Sequence, residues 1–134
     1  EAAGNAALVA GSMGPTGVVP DLYHSASTDG LRDTFREQAD VLLGAGVDLM
    51  ILETFRHPAE IRLALEAIHG LQADIPVIAL MSFGKDLRAA DGSDPAMMAR
   101  LLLEWGADVI GSNCGVGPAQ VYDVMAAMAG DNRI

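Results

Sequence analysis

Cysteine is almost absent from this sequence: Cys114 stands alone in 134 residues. A lone thiol excludes an intrachain disulfide framework and suits a reducing compartment, so a cytoplasmic location is expected. Basic residues are scarce as well, with eight Lys and Arg against eighteen Asp and Glu and a formal net charge of −10. Such a field repels polyanions over any unscreened distance, so neither nucleic acid nor an anionic membrane is an expected partner. Long apolar runs are missing too. The longest, around Val77 to Phe83, is bounded by Pro76 and Lys85, far short of the roughly 18 residues a membrane-spanning helix needs. The opening Glu1-Ala2-Ala3 has no initiator Met, basic n-region or signal-type apolar segment, so nothing here directs export and the chain reads as an excerpt. Aromatic residues are few, at 4%, but 51% of the chain is hydrophobic and 19% charged. That balance belongs to a globular protein with a buried core, one domain or a piece of one, over residues 1–134.

Four short apolar runs lack apolar/polar alternation: Ala6 to Ala10, Val47 to Leu52, Pro76 to Phe83 and Ala107 to Ile110. They suit strands buried on both faces, as in a parallel sheet. Segments of helical period lie between and after them. Leu31, Phe35, Ala39, Leu42 and Leu43 follow one such stripe, with Ser27, Thr28 and Asp29 as candidate caps and Gly44 and Gly46 as stops. Pro58 opens a second helix through Ile61, Ala64, Leu65 and Ile68 to a stop at Gly70. Ser93-Asp94-Pro95 introduces a third, with Met98, Leu101, Leu102 and Trp105 before Gly106. Pro118 starts a fourth, with Val121, Val124, Met125 and Met128 before Gly130. The expected fold is α/β, four consecutive βα units with parallel strands.

An internal echo supports this reading. The stretch from Leu43 to Thr54 can be laid over Leu103 to Cys114 at an offset of 60 residues, with Leu, Gly and Asp recurring in register. Two units per offset means about 30 residues each, the size of a βα repeat. A closed eight-unit barrel takes roughly 250 residues, so four units make about half of one. A half-barrel leaves two unpaired edges and an open apolar interior, for which a second copy of the chain is one candidate partner.

In parallel βα folds the C-terminal strand ends and the loops after them face the ligand. Here those ends are Gly11 to Gly17, Glu53-Thr54-Phe55, Ser82 to Lys85, and Gly111 to Pro118. Glu53 directly follows Leu49-Met50-Ile51-Leu52, where an isolated carboxylate would be costly to bury. It either accepts backbone hydrogen bonds from a neighbouring loop or serves in ligand binding or acid/base work. Cys114 is either a packed, silent thiol or a nucleophile or metal ligand. No histidine has metal spacing to it: His24 reads as a surface-loop residue, His57 as a cap or loop residue and His69 as part of a helix C-terminus. The Gly11–Gly17 loop lacks the Gly-Lys-Ser/Thr ending of a phosphate cradle, and its glycines, like Gly115 and Gly117, read as allowing close backbone approach. The seven methionines and Trp105 read as core.

Taken together, Val9-Ala10-Gly11-Ser12-Met13-Gly14-Pro15-Thr16-Gly17, Leu52-Glu53-Thr54-Phe55 and Ile110-Gly111-Ser112-Asn113-Cys114-Gly115-Val116-Gly117-Pro118 resemble the homocysteine S-methyltransferase family. The last segment is the most specific. The resemblance implies a (βα)8 TIM barrel that transfers a methyl group to the thiol of homocysteine, giving methionine. It implies zinc held by three cysteine thiolates, one of which Cys114 matches. Glu53 matches the acid that helps hold the amino-acid end of homocysteine, and Asn113 lies beside the metal; Thr54 and Ser12 join them as substrate-binding candidates. The family's adjacent cysteine pair near the eighth strand and its early Asp-Gly-x-x-Gly segment are both absent from this sequence. The stretch therefore corresponds to units three to six, and alone is expected to bind zinc poorly and to lack turnover. The expected partners are homocysteine and a methyl donor. The Gly-Pro-Thr-Gly loop leans toward methionine-synthase-like members, but cobalamin or folate would enter only through other modules. Two other readings stay open: a non-catalytic βα unit that dimerises or packs on a partner, and an unrelated barrel enzyme using Glu53 as acid/base with Cys114 inert.

Overall fold

A computed structural model of the chain describes residues 6–18 and 25–130. Its elements alternate strictly: β1 (Ala10–Met13), α1 (Ser25–Gly44), β2 (Leu49–Phe55), α2 (Pro58–Leu71), β3 (Val77–Met81), α3 (Pro95–Glu104), β4 (Val109–Ser112) and α4 (Pro118–Ala129). The four strands form one sheet in the order β1-β2-β3-β4, every neighbouring pair parallel. The expected α/β fold of four consecutive βα units is what the chain adopts. No helix among the described residues is long and apolar enough to cross a membrane.

The register explains which face of the sheet is covered. Met13, Leu52, Ala79 and Ile110 lie in one row across the strands, and all four are buried under the helices. The adjacent row, Ser12, Ile51, Ile78 and Val109, points to the opposite face. That face is only partly covered: Val109 is 51% exposed. On the helix side Phe35 of α1 meets Phe55 of β2 with ring centroids 5.9 Å apart, and Ile61, Leu65 and Ile68 of α2 are fully buried. Each such side chain contributes about 1.5–3 kcal/mol by leaving water. Gly11 lets α1 approach β1 closely, since a Cβ there would lie 3.3 Å from that of Leu42.

Helices α2, α3 and α4 all begin with proline in the first turn, where a missing N–H costs nothing. Asp94 caps α3 by accepting the Met97 N–H at 2.8 Å, whereas His57 occupies the N-cap position of α2 without a side-chain cap bond.

Several expected boundaries move. The first strand is Ala10–Met13 and not Ala6–Ala10, because pairing with Leu49–Leu52 sets its register; Leu8 and Val9 are left 74% and 60% exposed. Strands β2 and β4 start two residues later than their apolar runs, because Val47-Asp48 and Ala107-Asp108 belong to the turns. They run further, taking in Glu53, Thr54, Gly111 and Ser112, while β3 stops at Met81, short of Phe83. Helix α1 already begins at Ser25, so Ser27, Thr28 and Asp29 lie inside it and are not caps. Of the methionines, Met97 is 42% exposed, and Trp105 is only partly buried, beneath the guanidinium of Arg62. His24 lies outside the described residues.

Candidate functional site at the strand ends

The sequence repeat becomes a structural one. Asp48 and Asp108 each accept a backbone N–H at the start of the neighbouring strand, from Val9, just before β1, at 2.7 Å and from Val77, the first residue of β3, at 2.8 Å. Each also returns its own N–H to the carbonyl of that same residue, at 2.8 and 2.9 Å. Two residues before these aspartates stand Gly46 and Gly106, both at positive φ. The same offset relates Thr54 to Cys114, and both are non-glycine residues in left-handed backbone, at φ 67° and 56°. Left-handed backbone in a β-branched residue is uncommon and costs on the order of 1–3 kcal/mol, so neighbouring groups must hold it.

They do. The pairing of β2 with β3 skips between Leu52 and Phe55, a bulge that takes Glu53 and Thr54 out of the regular ladder. The Thr54 N–H donates instead to Oδ1 of Asn113, at 2.9 Å, and Asn113 Nδ2 donates back to Thr54 Oγ1, also at 2.9 Å. Asn113 Nδ2 further reaches Glu53 Oε2 at 3.5 Å and Cys114 Sγ at 3.6 Å, and the Thr54 hydroxyl faces the same sulfur at 3.9 Å. The Ser12 hydroxyl donates to Glu53 Oε1. Ser12, Glu53, Thr54, Asn113 and Cys114 thus form one connected cluster spanning β1, β2 and the loop after β4.

The loop is held from below. Ser82, buried at the end of β3, donates its hydroxyl to the Asn113 carbonyl at 2.5 Å. Gly115, at φ 77°, rests so close to Phe83 that a Cβ would stand 2.7 Å from its carbonyl oxygen. Only glycine fits there. The thiol is free and exposed, not packed among aliphatic neighbours. Glu53 is half-buried, and its hydrogen-bond partners are side chains and not loop backbone.

Ser82, at a strand end that the sequence marked, and Glu60, which sequence reasoning missed, also belong to this end of the sheet. Glu60, on the first turn of α2, is 1% exposed, and Ser82 is 2% exposed. An acid near a helix N-terminus passes for ordinary dipole complementarity, which hides Glu60 in the sequence. Beside Thr54 a recess of about 340 Å³ is lined by Pro15, Gly17, Arg56, His57 and Glu60. A groove of about 390 Å³ on the helix side, at Arg32, Arg62 and Trp105, is built from helix and loop residues that include none of this cluster.

As a metal donor, Cys114 has suitable chemistry: an exposed sulfur with an amide and a hydroxyl group near it. Among the described residues no three His, Cys, Asp or Glu side chains gather into a metal-holding set. This stretch therefore offers one thiolate, and further ligands would have to come from elsewhere.

The model of the family described as Homocysteine S-methyltransferase matches residues 1–134. Betaine–homocysteine S-methyltransferase 1 of Danio rerio is 33% identical over 122 residues, which cover 91% of this chain and 29% of the relative. S-methylmethionine–homocysteine S-methyltransferase BHMT2 of Mus musculus is 35% identical over 127 residues, 95% of this chain and 33% of the relative. Methionine synthase of Mycobacterium tuberculosis is 28% identical over 130 residues, 94% of this chain and 11% of the relative. Among solved structures, the apo form of the homocysteine methyltransferase MmuM from Escherichia coli superposes with a TM-score of 0.69 at 25% identity, covering 90% of this chain and 42% of that one. The chain spans about a third of the length of the first two relatives.

Proposed function

The chain belongs to the homocysteine S-methyltransferase family, and from that membership we propose that it supplies units three to six of a (βα)8 barrel that methylates the homocysteine thiol to give methionine. The observation that carries this reading is the hydrogen-bonded cluster joining Glu53 to Cys114 through Asn113. Glu53 offers a carboxylate, already oriented by Ser12 and Asn113, to the α-ammonium group of homocysteine. Its half-buried setting strengthens that ion pair relative to one in open water. Asn113 and Thr54 fix the distance between this carboxylate and the sulfur of Cys114, so the two ends of a short amino acid are bound in one orientation.

Zinc, held by Cys114 and by ligands outside the described residues, would lower the pKa of the homocysteine thiol and make a thiolate available at neutral pH. An exposed, unpaired thiol persists in reducing surroundings, in keeping with a cytoplasmic protein. Relatives named for betaine, for S-methylmethionine and as methionine synthase match the same stretch. The segment thus carries the homocysteine side of the reaction and leaves the choice of methyl donor, including any use of cobalamin or folate, to residues beyond it.

The test uses a protein carrying the complete barrel. Cys114→Ser is expected to lower bound zinc at least tenfold by elemental analysis, and Glu53→Gln to weaken homocysteine binding by about tenfold in calorimetry while leaving zinc content unchanged. Unchanged zinc in the first variant would sink the assignment of Cys114. The 134-residue chain alone, with one thiolate, is expected to bind zinc weakly and to show no turnover.

A further inference from the structure

Glu60 is the one charged side chain fully buried among the described residues, and nothing in the reading above uses it. Its Oε1 accepts two hydrogen bonds from a single residue 44 positions earlier, the N–H and the hydroxyl of Thr16, both at 2.7 Å. The Thr16 hydroxyl in turn accepts the Val18 N–H at 3.2 Å. A carboxylate taken out of water is stable only when such donors meet it, so the loop after β1 and the first turn of α2 hold each other. That loop is a wall of the cluster's surroundings. Gly14 passes over β2, with a Cβ there lying 3.9 Å from the Glu53 carbonyl oxygen. Pro15 and Gly17 form one side of the 340 Å³ recess, and Thr54, whose hydroxyl faces Cys114, forms another.

We propose that Glu60 is a positioning residue for homocysteine, latching the Gly14–Val18 loop to α2 so that this wall stands fixed beside Glu53 and Thr54. This role rests on the reading that homocysteine binds there. Glu60 acts through Thr16, whose N–H and hydroxyl it holds.

In a protein carrying the complete barrel, amide hydrogen exchange at Thr16 and Val18 and steady-state kinetics are compared among the unsubstituted protein, Glu60→Ala, Glu60→Gln and Thr16→Val. Glu60→Ala is expected to speed exchange at both amides and to raise the KM for homocysteine roughly tenfold, with kcat within about twofold. Glu60→Gln keeps an acceptor oxygen and is expected within about threefold of the unsubstituted KM. Thr16→Val loses the hydroxyl bond but keeps the amide bond, and falls between them; it carries the test if Glu60→Ala does not fold. Faster loop exchange with an unchanged KM, or a loss in kcat alone, overturns the positioning role. Failure of the unsubstituted protein to bind homocysteine in calorimetry overturns the reading of the site, and this role with it.

Discussion

Asn113 does for Thr54 what a neighbouring strand would normally do. Its Oδ1 takes the N–H released by the bulge, and its Nδ2 holds the hydroxyl. Replacing it by a leucine of similar size leaves a partly buried N–H without an acceptor, for an expected loss of about 1–3 kcal/mol in urea unfolding. The same substitution frees Glu53 and Cys114 from their common tether, so homocysteine binding falls as well. At Gly115 the constraint is steric. Gly115→Ala places a methyl group 2.7 Å from the Phe83 carbonyl oxygen in left-handed backbone, and an expected cost of at least about 1–3 kcal/mol is read in the same unfolding experiment. Glu53 was legible in the sequence as a polar residue at the end of an apolar run, and Asn113 and Cys114 through the family resemblance of their segment. The left-handed backbone of Thr54 was not, because a threonine in that conformation is written no differently from one in a strand.

Each strand after the first in its repeat half is docked by its turn. The glycine-x-aspartate turns preceding β2 and β4 use an aspartate to clamp the start of the strand beside them, Asp48 onto Val9 just before β1 and Asp108 onto Val77 of β3. Because the two clamps have the same geometry, Asp48→Ala and Asp108→Ala are expected to cost similar amounts, about 0.5–1.5 kcal/mol each. Lying in separate turns, they should add in the double variant, a result that denaturant titration of all three proteins checks. The recurrence of Gly and Asp at an offset of 60 residues was visible beforehand. What the aspartates do was not, since their acceptor role depends on which strand lies alongside. The same dependence explains the misplaced first strand: Leu8 and Val9 are as apolar as any strand residue, but the partner pairs with Ala10–Met13.

With helices on one face and strands β1 and β4 at its edges, the sheet leaves Ile51, Ile78 and Val109 on a face that nothing among the described residues covers fully. Open edges and an apolar face invite association. The 134-residue chain on its own is therefore expected to sediment as species larger than a monomer, and Val109→Lys, at an edge position already 51% exposed, to shift it toward monomer without loss of helical circular dichroism. Apolar periodicity and proline and glycine placement are local properties, and they were enough to establish four βα units and the parallel sheet. Long-range pairing had to supply the rest: the register that puts Met13, Leu52, Ala79 and Ile110 under the helices, the bulge that presents Glu53 and Thr54, and the burial of Glu60 against Thr16. Those features arise from contacts between residues tens of positions apart, whose energies no single stretch of sequence contains.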